Sequence, residues 1–574
     1  MTNTPTPLAR PTTGIARFLP FMSWMRSYRR SDAKSDLSAG LTTAIMLVPQ
    51  GMAYAMLAGL PPVVGLYASV VPLVAYSLFG TSRQLAVGPV AMDSLLVAQA
   101  LAPLAVLGSD QYIAYAVLLA LLVGIIQLSM GILRLGFLMN FLSNPVVSGF
   151  TSAAALIIGF SQLKHILGVS LPRSKNVLHV IQSALESISD WNWPTIAIAL
   201  ASIVFLIAAK RWRPKAPRAL LVVVGGSLVV WAGGLAEAGV ATVGVVPSGP
   251  PALGLPIWNT EVAGTLLPMA LTIALVAIME AMSVARTFAQ KEGYDIDANQ
   301  ELIALGVANV GGALSSAYPV TGGFSRTAVN AQAGAKTPLA GLVTAGIVLL
   351  TLLFFTPLFY HLPTAALAAI IMTAVFGLID IKAIRRLWKV KRSDLVVLVA
   401  TFAATLGIGI EQGILSGVAM SLAFFVFRTT RPHVAVLGEL PESKGVFRNV
   451  LRYPNAEQVT GVLLVRIDAQ FYFGNTTFLK GTLERLEREA TSPLHTVILD
   501  ASGINQLDSS AASALEELVR SYAQRNIRLF IACAKGPVRD ILERVGLSET
   551  LAGRLPQTLA QAVTEAKAPR LRAA

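Results

Sequence analysis

Cysteine is almost missing from this chain: Cys533 is the single one in 574 residues, so no intramolecular disulfide can form. Histidine is scarce too, five in all and scattered, and nothing has the spacing of a zinc or haem site. No nucleophile and base pair, metal-ligand cluster or nucleotide loop is legible, and the glycines around Gly312 lack the lysine spacing of a P-loop. An enzyme, a bound metal and a cofactor are therefore not expected. Charged residues make up 13% of the chain, about half of what a soluble domain carries. The first residues hold no short apolar run ending in a small-residue cleavage site, so a removable signal peptide is not expected either.

What is present is apolar: 54% hydrophobic residues, 46 glycines and a mean hydropathy of +0.64. Apolar stretches of about 17 to 23 residues recur between Leu37 and Phe427, each near the length that crosses a hydrocarbon core about 30 Å thick. Fourteen spans are expected, beginning near Leu37, Pro62, Gly88, Tyr112, Pro145, Trp193, Ala219, Gly264, Ala298, Gly323, Leu339, Pro363, Asp394 and Gly413. After His433 the pattern changes. Strands are expected over Gly461–Ile467, His495–Leu499 and Ile527–Cys533, alternating with helices near Thr477–Glu489, Ser509–Ala523 and Val538–Val545, which describes a small α/β domain. The expected organisation is a segment 1–36, a membrane domain 37–432 and a domain 433–574.

A net charge of +14 would suggest nucleic acid in a soluble protein, but here it follows membrane topology, and no nucleic-acid partner is expected. Basic residues cluster in alternate loops: Arg26, Arg29, Arg30 and Lys34 before the first span, Lys210, Arg211, Arg213, Lys215 and Arg218 after the sixth, and Lys382, Arg385, Arg386, Lys389, Lys391 and Arg392 after the twelfth. These loops, and both termini, are then cytoplasmic in a multi-pass protein of the cell (plasma or inner) membrane. The loops on the other side, around Ala58 to Pro62, Glu237 to Glu261 and His361, have no Lys or Arg, whereas Lys164, Arg173 and Lys175 fall on that side against the rule. Asn475-Thr-Thr477 has the form of a glycosylation acceptor but lies in the expected cytosolic tail.

Two spans are too short. The segments from Gly88 and Gly323 offer only about a dozen residues each, open on glycine, and follow strand-like stretches, Gln84–Val87 and Ser316–Val320. Each comes about forty residues after a polar interruption in an earlier span, Pro49-Gln50-Gly51 in one half and Glu280 in the other, the internal symmetry of a seven-plus-seven inverted repeat whose interrupted segments mark a binding site. A helix start at membrane depth presents unpaired N–H groups and a partial positive charge, which suits an anion. In Val320-Thr-Gly-Gly-Phe-Ser-Arg-Thr-Ala328, Ser325 and Thr327 add hydroxyls and Arg326 adds a cation. Arg326 can attract substrate, or it can pair with Glu280 or Asp93. Glu280, flanked by apolar residues for more than a turn each way, is costly at mid-bilayer and can serve ion or proton coupling or meet substrate, or it can make a structural hydrogen bond between helices. Asp93, in the first turns of the other broken helix, can serve a proton or sodium ion, or stabilise the helix end. Gln50 and Tyr54, one turn apart, can donate hydrogen bonds without adding charge.

Several strings resemble the sulfate permease (SulP) family of anion transporters: Val48-Pro-Gln-Gly-Met-Ala-Tyr-Ala55, Leu60-Pro-Pro-Val-Val-Gly-Leu-Tyr67, Ala86-Val-Gly-Pro89 and Val320-Thr-Gly-Gly-Phe-Ser-Arg-Thr327. Leu499-Asp-Ala-Ser-Gly-Ile-Asn-Gln-Leu-Asp-Ser-Ser510 resembles the family's C-terminal STAS domain. The resemblance implies fourteen membrane helices split into core and gate domains, a cytosolic α/β STAS domain, a homodimer, and an elevator-like movement of the core. It implies a substrate site of Val87, Gly88, Gly323, Phe324, Ser325 and Arg326, with Gln50 and Tyr54 from the first span and Glu280 as the acid linked to cation or proton coupling. Sodium-coupled bicarbonate carriers of the family have a second acid where this chain has Val284, and Ala511 replaces a glycine after Ser510, the position phosphorylated in STAS regulators. The expected function is secondary active uptake of a small oxyanion, sulfate first, by proton symport. The alternatives are bicarbonate or C4-dicarboxylate uptake with sodium or protons, anion exchange, and, from another class, an uncoupled channel or a membrane sensor.

Overall fold

The computed structural model describes residues 19–26, 28–140, 143–171, 177–212, 217–551 and 553–568. Of the basic residues used to orient the chain, Arg173, Lys175, Arg213 and Lys215 lie outside them. The chain divides into two units, Met1–Ser421 and Leu422–Ala574.

The first unit is helical. Each of the fourteen expected span starts lies in a helix or at most three residues before one, the three-residue offset being from Gly88 to the helix Ala91–Leu101. Among the described residues eight helical segments are long and apolar enough to cross a membrane, Arg30–Leu57, Asp110–Ile132 and Thr260–Glu292 being three of them. Apolar sequence alone does not drive helices together in lipid, where close backbone approach does. Glycine supplies it. A Cβ on Gly65 would stand 1.9 Å from the carbonyl oxygen of Gly51, so the first two spans touch backbone to backbone. Gly124 and Gly306 do the same for Asp110–Ile132 and Ala298–Ala313, where a Cβ on Gly306 would meet Leu128 N at 2.6 Å.

Buried carboxylates fasten the chain at the ends of these helices. Glu301 is fully buried and accepts from Tyr76 Oη (2.7 Å), Thr81 N and Oγ1 (2.6 Å each) and Ser82 N (3.0 Å). Asp36 accepts from Lys336 N (2.7 Å), Thr337 N (3.1 Å) and Thr337 Oγ1 (2.7 Å), joining the first span to the loop after Phe324–Gln332.

Among the described residues of this unit one sheet forms, from β1, Val87–Gly88, and β2, Thr321–Gly322, antiparallel with Val87 opposite Gly322 and Gly88 opposite Thr321. Both strands come slightly later than the stretches expected from sequence, at the glycines themselves.

The second unit is an α/β domain. Strands β3 (Val434–Leu440), β4 (Ser443–Asn449), β5 (Val462–Ile467), β6 (Thr496–Asp500) and β7 (Arg528–Ala532) form one sheet in the order β4-β3-β5-β6-β7. The three strands expected from sequence are the parallel ones, β5 to β7, and β6 is buried at every residue, as a central parallel strand requires. The β3–β4 hairpin and the helix Leu559–Lys567 were not anticipated. The hairpin is interrupted by a register shift at Glu439/Leu440 and half exposed, so its apolar residues alternate poorly. Asp508 caps Ser509–Gln524 by accepting from Ala511 N at 2.8 Å, and also accepts from Phe473 N at 2.8 Å.

Candidate functional site

The first half-helix begins at Ala91, because its N-cap Val90 holds extended backbone at φ −131° and ψ 145°. In the other half the helix begins at Phe324 with Gly323 as its N-cap. Neither cap residue, Val90 or Gly323, supplies a side-chain acceptor, so neither half-helix has its first-turn N–H groups satisfied by a cap. Because β1 and β2 pair with each other and each runs straight into its half-helix, both electropositive ends emerge from a ladder only two residues long. Gly88 and Gly323, 235 positions apart in sequence (323 − 88), thus become neighbours.

Arg326 bridges them. Its guanidinium would lie 3.1 Å from a Cβ on Gly323 and 3.5 Å from one on Gly88, and its Nη1 donates to the carbonyl of Pro89. The side chain is 2% exposed, and its Nε and Nη2 are buried with no partner. Carboxylate oxygens are unspent as well: both of fully buried Asp93, and Oε2 of Glu280. Among the described residues neither acid forms an ion pair with Arg326, so the salt-bridge alternative is not realised here. Glu280, Tyr54 and Tyr318 lie within Coulombic range of the guanidinium, and Asp93 within that of Glu280. Buried donors and acceptors are nearly always paired in a folded protein. Buried cationic donors without partners, buried carboxylate oxygens without partners and two uncapped helix ends are a combination that a purely structural role does not require.

The other expected residues lie on the elements around this point. Val87 and Gly88 form β1; Leu47, one turn before Gln50 on the first span, places Cδ1 3.4 Å from a Cβ on Gly88. Gln50 and Tyr54 are buried on that span. Phe324 and Ser325 are exposed at the tip of the half-helix, and the Phe324 ring leans on Phe288, centroids 6.1 Å apart, from the same helix as Glu280. Val284 is buried one turn beyond Glu280, leaving Asp93 as the second carboxylate near it.

The scaffold of the site was not anticipated. Asn309 accepts from Val320 N (2.8 Å) and donates to Val320 O (3.0 Å) and Gln127 Oε1 (2.9 Å), holding the residue before β2 at both its peptide groups. Thr321 Oγ1 donates to Ala277 O (2.6 Å), fixing β2 against the helix of Glu280. Thr327 Oγ1 accepts from Ala86 N (3.1 Å), Asn330 Nδ2 donates to Gln84 O (2.9 Å), and Gly323 N donates to Ala86 O (3.2 Å), so the second half-helix is sewn to the strand that leads to the first. Ser94 and Tyr318 share a hydrogen bond of 3.0 Å behind Asp93. The available signal was the polar side chain within an apolar span, which marks Asn309 as it marks Gln50. Among the described residues no group of three or more His, Cys, Asp or Glu could hold a metal ion.

Comparison with known proteins agrees with this architecture. Residues 34–401 match the model of the sulfate permease family and residues 453–566 that of the STAS domain. The chain is 42% identical over 555 residues to sulfate transporter 4.1, chloroplastic, of Arabidopsis thaliana, covering 93% of this chain and 80% of that protein. It is 36% identical over 557 residues to high affinity sulfate transporter 2 of Stylosanthes hamata, covering 93% and 83%. In three dimensions it resembles the murine solute carrier 26 family member A9 anion transporter in the inward-facing state, with a TM-score of 0.89, 26% identity and coverage of 98% and 96%. With two half-helix ends meeting an unpaired arginine at membrane depth and a family match across most of its length, the chain belongs to the sulfate permease family of membrane anion transporters, with a C-terminal STAS domain, and not to a family of enzymes.

Proposed function

We propose that the protein takes up sulfate together with protons. The observation that carries the reading is the set of unspent groups at one point: Nε and Nη2 of Arg326 for the anion, Glu280 for the proton. A dianion entering beside Glu280 and Asp93 meets two carboxylates if both are ionised. Protonation of Glu280 removes one of these repulsions, so anion and proton favour each other's binding, which is the thermodynamic content of symport. The donors that meet the anion are the N-terminal N–H groups of Ala91–Leu101 and Phe324–Gln332, with Gln50, Tyr54 and the Ser325 hydroxyl at the rim and Val87, Gly88, Gly323 and Phe324 shaping the floor.

On this reading the membrane domain 37–432 is a seven-plus-seven inverted repeat, the segment carrying both half-helices moves as a body past a gate domain in an elevator-like cycle, and the chain works as a homodimer. The termini are cytoplasmic, with 433–574 a cytosolic STAS domain and the membrane that of the cell. The names of the relatives, sulfate transporters, support the choice of anion, and the antiparallel match of β1 with β2 supports the repeat. Sodium coupling is the second reading, favoured by one observation: Asp93 stands near Glu280, where Val284 leaves no second acid one turn on.

The test is uptake of labelled sulfate, bicarbonate and fumarate into proteoliposomes under imposed proton or sodium gradients, for the wild type and Glu280→Gln. Proton-driven accumulation of sulfate, abolished in Glu280→Gln, is the expected result. Accumulation by the variant equal to that of the wild type would remove Glu280 from coupling.

A further inference from the structure

The loop between the twelfth and thirteenth spans contains a helix, Ile381–Val390, that the transport reading does not use. Its ten residues include Lys382, Arg385, Arg386 and Lys389 and no acid. At about 100° per residue these four fall on one arc of about 100°, while Ile381, Ile384, Leu387 and Trp388 fall on an adjoining arc of about 120°. The separation is complete, one stripe basic and one apolar. The apolar stripe is only partly covered by the protein: Ile384 and Leu387 are half-buried, whereas Ile381 is 57% and Trp388 64% exposed. The cations are free of ion pairs among the described residues; the nearby Lys391, outside the helix, pairs with Asp394 at 3.8 Å, and Arg392 lies over the Trp388 ring at 6.0 Å.

We propose that this helix lies in the membrane interface and binds the headgroups of anionic phospholipids. The occupant follows from tethering and charge. Only Lys391 separates the helix from the next span, Arg392–Gly407, and five residues separate it from Thr364–Val375 (376 to 380), so at about 3.5 Å per residue it stays at the bilayer surface. A helix held there, with Ile381 and Trp388 of its apolar stripe exposed and four cations beside them, sets those side chains against the acyl boundary and the cations among the headgroups. Trp388 at the border between the stripes suits the interface, where its ring is apolar and its N–H is wet.

The test is hydrogen–deuterium exchange of residues 381–390 in the full-length protein, in nanodiscs of phosphatidylcholine with and without phosphatidylglycerol. Exchange several-fold slower with phosphatidylglycerol is expected, the difference fading at high salt as the charges are screened. In a variant with Lys382, Arg385, Arg386 and Lys389 all changed to Gln the lipid dependence should vanish, each charge being worth about fivefold in binding. The same fourfold variant with Ile384 and Trp388 intact should still fold, checked by unchanged exchange in Asp110–Ile132. Equal exchange in the two lipids, lipid dependence that survives in the variant, or the same protection from inorganic phosphate added to phosphatidylcholine nanodiscs would each overturn the proposal.

Discussion

Arg326→Ala is the substitution that separates a binding site from a structural strut. In the structure the guanidinium makes one hydrogen bond to the chain, to the carbonyl of Pro89, and leaves Nε and Nη2 buried without partners. If each of those two donors meets the anion, the loss is two charge-assisted hydrogen bonds at about 1.5 kcal/mol apiece, about 3 kcal/mol, or about a hundredfold in affinity. Fold stability should change little, because the variant loses one bond to a carbonyl and at the same time removes an uncompensated buried cation, two effects of opposite sign and each about 1 to 3 kcal/mol. The assay is the concentration dependence of initial sulfate uptake into proteoliposomes, beside the melting temperature of the detergent-solubilised protein. Half-saturation raised about a hundredfold at an unchanged melting temperature is the expected outcome. Affinity within about fivefold of wild type in a normally assembled variant would refute the reasoning, and a collapse in melting temperature would assign Arg326 to architecture instead.

Three other outcomes are expected. Glu301→Ala strips a buried acceptor from four donor groups, Tyr76 Oη, Thr81 N and Oγ1 and Ser82 N, and should destabilise the membrane unit by about 3 kcal/mol or more, read as a lowered melting temperature. Asn309→Leu releases the peptide of Val320 from both its bonds and should weaken sulfate affinity about tenfold through misplacement of β2, without touching the anion; an unchanged affinity would mean that β2 holds its place by pairing with β1 alone. In the second unit, burial raises the Asp468 carboxyl but hydrogen bonds from Arg466 (2.6 Å) and His433 (2.9 Å) outweigh it, leaving the carboxyl below its ordinary value of 3.8. A depressed carboxyl stabilises the fold above pH 3.8 and ceases to do so as acid titrates it, so amide protection relative to intrinsic exchange at the end of β5, where Asp468 N donates to His433 O, should fall below about pH 4 in the wild type and show less of that acid dependence in Asp468→Asn.

Much of the membrane unit was legible because lipid allows so few solutions. A backbone with no water to bond must be helical, so apolar length marked the spans, and the two stretches too short to cross, at Gly88 and Gly323, could only be irregular and therefore stand out. The residues singled out for the proposed site stood out for a related reason: Gln50, Asp93, Glu280 and Arg326 are polar where polarity is expensive. The buried parallel strands of the second unit were equally plain from their unbroken apolar runs, whereas the β3–β4 hairpin, half exposed and broken by a register shift, carried no such periodic signature.

Sequence alone settled which residues are costly and where the helices break, because the cost of a charge or an open peptide in lipid depends on local composition. It could not settle who meets whom. That Gly88 lies opposite Thr321, that Asn309 grips Val320, and that Arg326 spends one donor on Pro89 and pairs with neither Glu280 nor Asp93 all depend on contacts between segments more than two hundred positions apart, or on which of several equally suitable partners comes within reach. Charge complementarity would have allowed Arg326 to close on either acid; the packing of the half-helices, fixed by the β1–β2 ladder, holds them apart and leaves the site open.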